Sequence, residues 1–198
     1  MQTDGEYRSD CELNIIMVLS KRSLQIERFS KNLAKLSKDC QFHLAVAVYE
    51  SEESNTSSIT EKMNKWFQNT TVQFSVVEGT GPFEKSAGVN LAFNLVNNTA
   101  ATLQADVDIV FDIDFVQRCQ RYVIERHRLY LPILLSTFNP AIDPSSDGQW
   151  RYWGYGMACF HPADWRTLGG LTESYKEWGF EDSEFVEKAT RRGYEIIR

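Results

Sequence analysis

The sequence predicts an α/β fold with a mostly parallel central sheet flanked by helices. Three observations carry this. Short apolar runs of strand length alternate with stretches of helical periodicity through the first half of the chain. The runs are nearly continuous in apolar residues, as strands buried on both faces are. The composition, 42% hydrophobic and 24% charged over 198 residues, is that of a globular chain the size of one domain and excludes disorder or a collagen-like repeat.

The elements follow in order. Residues 14–19 (Asn-Ile-Ile-Met-Val-Leu) form the first buried strand. Ile26, Phe29, Leu33 and Leu36 then recur at helical spacing. Residues 42–49 form a second strand with Phe42, Leu44, Val46 and Val48 on one face. Ser58 and Glu61 have the spacing of a capping box ahead of a helix whose face carries Ile59, Met63, Trp66 and Phe67. Val72, Phe74 and Val76 alternate as a third strand, 87–96 reads as a helix, and 101–111 as a fourth strand. Asp114 is placed as the N-cap of a helix over 115–123. The second half is less regular. It holds an apolar segment (129–135), a loop rich in Pro, Asp, Ser and Gly (139–148), an aromatic, glycine-rich stretch (150–157), a helix over 183–192 stopped by Gly193, and a last strand at 194–197. In open sheets of this kind ligands sit beyond the carboxyl ends of the strands, which directs attention to the loops after Leu19, after Val77 and around Asp106 to Asp108.

Net charge is −6, with no Lys/Arg block, so the chain is a poor nucleic-acid binder, although a local basic pocket is compatible with that sum. Aromatic residues reach 13%, which suits a carbohydrate or nucleotide site built from flat side chains. No apolar run is long enough to cross a bilayer, and the polar residues 1–10 do not form a signal peptide. Three N-glycosylation sequons begin at Asn55, Asn69 and Asn97. The four cysteines lack Cys-x-x-Cys spacing, which disfavours a zinc cluster and permits one or two disulfides, with Cys119–Cys159 the pairing singled out for testing.

Four constellations could carry chemistry. Asp106-Val107-Asp108 ends an apolar run, and carboxylates at i and i+2 of an extended segment point the same way, as a hard divalent cation requires. A solvated strand-end turn would look the same. Trp178-Gly179-Phe180-Glu181-Asp182 puts two adjacent carboxylates at the start of a helix, able to supply a base and a hydroxyl acceptor or merely a cap. Trp153-Gly154-Tyr155-Gly156-Met157 lets backbone approach a ligand closely or packs as a bulge. Gly79 to Lys85 is a loop entering a helix, where Lys85 can pair with a phosphate or a carboxylate. His43, His127 and His161 have no ligand spacing, and neither Gly-x-Ser-x-Gly nor Gly-x-Gly-x-x-Gly is present.

Taken in order, these segments, with 14–22, 83–90, Phe115-Val116-Gln117-Arg118-Cys119, 129–140, 155–159 and Gly169-Gly170-Leu171, resemble the glycosyltransferase domain of chondroitin synthases and chondroitin N-acetylgalactosaminyltransferases, and more distantly β1,4-galactosyltransferases. The resemblance covers essentially residues 13–198, after a polar segment 1–12. It implies a GT-A fold in a single domain, a UDP-sugar donor (UDP-GalNAc foremost), Mn²⁺, inverting transfer to a glycosaminoglycan acceptor, and no nucleic acid. It also implies the Golgi lumen, with a membrane anchor outside this chain. By position, Asp108 with Asp106 matches the metal-binding pair. Phe83, Lys85, Asp106, Val107 and Trp178 match the nucleotide-sugar site. Asp182 matches the base, with Glu181 contacting the acceptor. Departures are Lys85 where the family has Arg, a polar Thr102-Leu103-Gln104-Ala105 before Asp106, and Phe180 where a second Gly is common. The family's further metal-ligand His is expected just beyond Arg198, which makes the domain read as truncated there. Lys85 and that His leave a second role open, a catalytically weak partner of an active chondroitin synthase. A different donor such as a UDP-galactose is a third.

Overall fold

The structure is a computed structural model that describes residues 11–51, 55–96, 98–137, 148–152, 154–173 and 180–198. In chain order the elements are β1 (Glu12–Leu19), α1 (Ser23–Leu36), β2 (Gln41–Tyr49), α2 (Thr56–Trp66), β3 (Val72–Gly79), α3 (Lys85–Phe93) and β4 (Thr102–Gln104). There follow α4 (Ile113–Tyr122), β5 (Arg128–Tyr130), β6 (Leu134–Ser136), β7 (Gln149–Arg151), β8 (Ala158–Phe160), α5 (Pro162–Leu168), α6 (Glu181–Arg191) and β9 (Glu195–Ile197). Seven strands form one sheet in the order β3-β2-β1-β4-β8-β5-β9, while β6 and β7 form a separate antiparallel pair. The sheet is parallel except for β8, which runs against both β4 and β5.

Both faces of the sheet are covered, which is why β1 and β2 are almost unbroken apolar runs. Leu13, Ile15, Met17 and Leu19 of β1 and Phe42, Leu44, Val46 and Val48 of β2 pack with Ile26, Phe29 and Leu33 of α1, Ile59 and Met63 of α2, and Val116 of α4. The alternate residues Ile16, Ala45 and Ala47 face Val89 and Ala92 of α3, Trp165 of α5 and Phe185 of α6 on the other side. Small residues on β2 admit α3 closely. Gly88 completes the fit, since a Cβ there would lie 2.4 Å from Val18 Cγ2. Disulfides join Cys11 to Cys40 and Cys119 to Cys159, and the second is the pairing singled out above.

Several boundaries differ from the sequence expectation. Asn55, not Ser58, caps α2, its side chain accepting from the Ser58 N–H at 2.8 Å. Asp112, not Asp114, caps α4 through the Phe115 N–H at 2.9 Å. In both helices a residue two or three positions earlier offers a side-chain oxygen to a first-turn N–H. The fourth strand ends at Gln104 because the chain turns there, with Ile109 N–H donating to the Asp106 carbonyl. α3 starts at Lys85 rather than 87, and α6 at Glu181 rather than 183. Helix α5 was not anticipated. Pro162 at its first turn and Gly169 (φ 81°) at its end delimit it.

Candidate active site

Strand order reverses between β1 and β4: the chain moves outward from β1 to β2 and β3, then crosses back to β4 on the other side. Such a switch point opens a crevice at the carboxyl ends of the strands. Asp106 leaves β4 there. The N-terminal turns of α3 and α6 bring in Lys85, Glu181 and Asp182.

Lys85 is the centre of the constellation. Its Nζ lies 3.3 Å from Asp182 Oδ2 and donates to it, and 3.6 Å from both Asp106 Oδ1 and Glu181 Oε1. Burial alone would depress the ammonium's pKa. The carboxylates of Asp106, Asp182 and Glu181 outweigh that and hold it above the usual lysine value. Gln104, 2% exposed at the end of β4, donates from Nε2 to Asp182 Oδ1 at 3.0 Å. Asp182 is therefore held at both oxygens. Burial still pushes its carboxyl up, assisted by Glu181 and opposed by Lys85 and Gln104. Asp106 is also raised, first by burial and then by Asp182 and Asp108, against the pull of Lys85. Its side chain is nevertheless 48% exposed, so it sits low in the crevice with one side open. Both Glu181 and Asp182 stand in the first turn of α6, at the partly positive end of the helix.

The scaffold fixes these side chains from behind. Asn90 on α3 clamps Leu171 from both sides, donating to its carbonyl (2.8 Å) and accepting from its N–H (3.0 Å). Lys188 on α6 holds Thr172 at 2.7 Å. The segment before α6 is thus tied to both helices that carry the charged groups. Phe83, 52% exposed, meets Tyr49 edge-on at 5.4 Å and anchors the loop into Lys85. Gly156 completes the crevice wall: a Cβ there would lie 3.6 Å from Asp106 Oδ2 and 3.9 Å from Asp182 Oδ2.

Of the residues singled out by sequence, Lys85, Asp106, Glu181 and Asp182 meet. Asp108 is exposed beside Asp106, in a turn rather than on an extended strand, so strand alternation does not set their relation. The Val107 side chain is buried in the core with Phe111. Trp153, Trp178, Gly179 and the sequon Asn97 lie outside the described residues. Sequence reasoning missed Gln104 as a site residue. Its signal was visible: an amide where an apolar residue is expected at the end of a buried strand, here satisfied by a carboxylate.

No group of three or more His, Cys, Asp or Glu side chains poised to hold a metal occurs among the described residues. The donor chemistry still fits a hard cation. Asp106, with a side chain half open, and Asp108, exposed, are neighbouring carboxylates of the hard-oxygen type such a cation takes.

The fold and this crevice define the class first. The chain superposes on glycosyltransferases of GT-A type. Across 96% of its length it matches a mannosyltransferase from Pyrobaculum calidifontis in complex with GDP-Man and Mn²⁺ (TM-score 0.64, 15% identity, 55% of that chain). It also matches, across 96%, a Drosophila β1,4-galactosyltransferase 7 variant in complex with manganese, UDP-Gal and xylobiose (TM-score 0.55, 13% identity, 65% of that chain). At these identities the likeness is one of fold. Sequence supplies the family: the chondroitin N-acetylgalactosaminyltransferase family profile matches residues 3–198, and the chain belongs to that family. It is 28% identical to human chondroitin sulfate synthase 3 over 170 residues (78% of this chain, 19% of the relative). It is 26% identical to human chondroitin sulfate N-acetylgalactosaminyltransferase 1 over 208 residues (94% and 38%). The chain therefore spans well under half the length of these relatives.

Proposed function

We propose that the chain is the donor-binding and catalytic region of an inverting glycosyltransferase that moves GalNAc from UDP-GalNAc onto a chondroitin-type glycosaminoglycan. One observation carries the reading: three carboxylates from two separate segments, Asp106 after β4 and Glu181 and Asp182 on α6, converge on the single ammonium of Lys85 at the sheet's switch point. Family membership supports the donor and acceptor class.

Asp182 is the base. Its raised carboxyl makes it a stronger proton acceptor than an ordinary carboxylate, and Gln104 fixes its orientation. As the acceptor oxygen bonds to the anomeric carbon from the face opposite UDP, the hydroxyl proton passes to Asp182. The bond from that carbon to the diphosphate oxygen breaks, and UDP leaves with the electron pair. Glu181, 4% exposed, accepts a hydrogen bond from the incoming sugar. Asp182 Oδ2 is engaged by Lys85, so that ammonium must release it before the proton can move. The growing charge on the diphosphate is the counter-attraction that draws Lys85 away. Mn²⁺ held by Asp106 and Asp108 would supply further stabilisation of that leaving charge. The family resemblance further assigns Phe83, Val107 and Trp178 to the donor site, Trp178 lying outside the described residues. Two disulfides and the exposed sequon residues Asn55 and Asn69 support an oxidising secretory compartment, here the Golgi lumen.

The test is Mn²⁺-dependent UDP release with a chondroitin oligosaccharide and each UDP-sugar, alongside Asp182→Asn. The variant should lose transfer by about 10²–10⁴-fold while binding UDP as before. Transfer at the wild-type rate would remove Asp182 from this role. A second reading, a weakly active partner of another chondroitin synthase, draws on the ion pair by which Lys85 ties up the candidate base. It predicts no turnover with any donor, and an increase in activity when an active synthase is added.

A further inference from the structure

We propose that Asn69 carries an N-linked oligosaccharide, bonded to its side-chain nitrogen. The inference rests on the secretory compartment in the transferase reading, and geometry selects this asparagine from the sequons. The donor is a lipid-diphosphate-linked oligosaccharide of that compartment. Asn69 Nδ2 bonds to the anomeric carbon of its first sugar, and the bond from that carbon to the diphosphate oxygen breaks. The lipid diphosphate leaves with the electron pair, and one amide proton passes to a base of the transferring enzyme.

The sequon Asn69-Thr70-Thr71 forms the turn between α2 and β3. Asn69 is exposed and adopts φ 63°, in the left-handed region that asparagine tolerates better than most residues. Its neighbours close the turn. The Thr70 N–H donates to the Phe67 carbonyl at 3.1 Å, and Thr70 Oγ1 donates to the same carbonyl at 2.9 Å. Thr70 Oγ1 also accepts from the Val72 N–H at 3.2 Å. Thr71 Oγ1 donates to the Ser37 carbonyl at 2.8 Å, which ties the turn to the loop after α1. The Asn69 side chain makes no hydrogen bond among the described residues. A bulky group on its nitrogen therefore displaces no contact of the folded chain.

Topology separates this sequon from Asn55. β2 and β3 are parallel neighbours, so α2 leaves the carboxyl end of β2 and returns the chain to the amino end of β3. Asn55 stands at the start of α2, on the edge of the sheet where the crevice opens. Its Oδ1 already accepts from the Ser58 N–H at 2.8 Å as the cap of that helix. A branched sugar on Asn55 would share that edge with the substrates. Asn69 follows α2 and stands on the opposite edge, on the same side as the Cys11–Cys40 disulfide that precedes β1 and β2. A sugar there leaves the approach to Lys85 and Asp182 open. The third sequon asparagine, Asn97, lies outside the described residues.

The experiment is peptide mapping of the full-length protein made in eukaryotic cells and treated with peptide-N-glycosidase in heavy-oxygen water. Removal of an N-glycan leaves an aspartate that carries the heavy oxygen, and the label is expected at residue 69. Asn69→Asp should lose the mass of one glycan and still fold, because aspartate also tolerates the left-handed turn and no side-chain bond is lost. Thr71→Ser keeps the hydroxyl that the sequon and the Ser37 carbonyl both need, and should keep the glycan. Label at another sequon with residue 69 bare overturns the proposal, as does an Asn69→Asp chain of the same glycan mass as wild type. A chain with both disulfides formed and residue 69 bare sinks the site and spares the compartment. A chain with four free thiols and no sugar sinks the secretory reading and the proposal together.

Discussion

Replacing Lys85 by Met isolates the electrostatics of the crevice. The ammonium is 15% exposed and faces Asp182 Oδ2 at 3.3 Å and two further carboxylate oxygens at 3.6 Å. At an effective dielectric of about 20, a unit pair at that shorter distance is worth roughly 5 kcal/mol before desolvation. Desolvation of the ammonium offsets part of this, and Asp106, half open, is screened by solvent. What remains is the buried pairing with Asp182 and Glu181, whose loss destabilises the fold by about 3 kcal/mol near neutral pH. The sign of the pH dependence follows from the carboxylates. Asp106 and Asp182 both titrate above their ordinary value of 3.8. The folded state therefore binds more protons than the unfolded state above that value, and stability rises as pH falls through the raised pKa values. Removing the ammonium raises those values further, so the variant gains more from acid than the wild type. Lys85 itself, held above 10.5, stays charged throughout this range. Urea unfolding with a chelator present should give a penalty near 3 kcal/mol at about pH 7.5 that shrinks at about pH 5. A penalty that does not change with pH, or none at all, would refute the reasoning.

Gln104→Leu removes the hydrogen bond to Asp182 and should lower stability by about 1–3 kcal/mol and slow transfer without changing UDP affinity; Gln104→Glu should be worse, since it sets a like charge beside the base. Gly88→Ala drives a methyl against Val18 and Tyr49 and should cost about 1–3 kcal/mol in urea unfolding, with α3 and therefore Lys85 displaced. Replacing both Cys119 and Cys159 by Ala opens a link between residues 40 apart and should cost about 4 kcal/mol by chain entropy, read as a lower unfolding midpoint. Asp108→Asn should weaken Mn²⁺ binding, seen as loss of the rise in thermal midpoint that Mn²⁺ gives the wild type and that chelation reverses.

The first half of the fold was legible because its strands are buried on both faces, which leaves a run of apolar residues that few other structures produce. Val18 to Val48 shows the rule: small or apolar residues on either face, with helices covering each. The second half was less legible because β5, β6, β7, β8 and β9 are three residues each, too short for a period to register. Their pairing depends on distant partners such as Leu103 with Cys159. Helix α5 is seven residues long and packs through Trp165 against Phe93 and Phe185 as well as Phe160, partners on α3 and α6 that no local pattern encodes. In the crevice, residue types could be picked from motifs, but not their mutual arrangement. Lys85 was read as facing a phosphate or a carboxylate, and in this structure it faces three carboxylates.

That arrangement makes Lys85 and Gly156 complementary parts of one boundary. Lys85 holds Asp106 and Asp182 together from the side of α3. Gly156 approaches the same two carboxylates from the segment entering β8, at a distance where any side chain would fill the gap between them. A group occupying that gap would separate the carboxylate beside the nucleotide from the carboxylate beside the acceptor. On the proposed transferase reading, the bare glycine leaves room there for the sugar being transferred. Beyond it, the Tyr155 ring carries the stacked Arg198 guanidinium. Enlarging Gly156 should impair transfer more than UDP binding, because the gap it keeps open is where the two substrates meet.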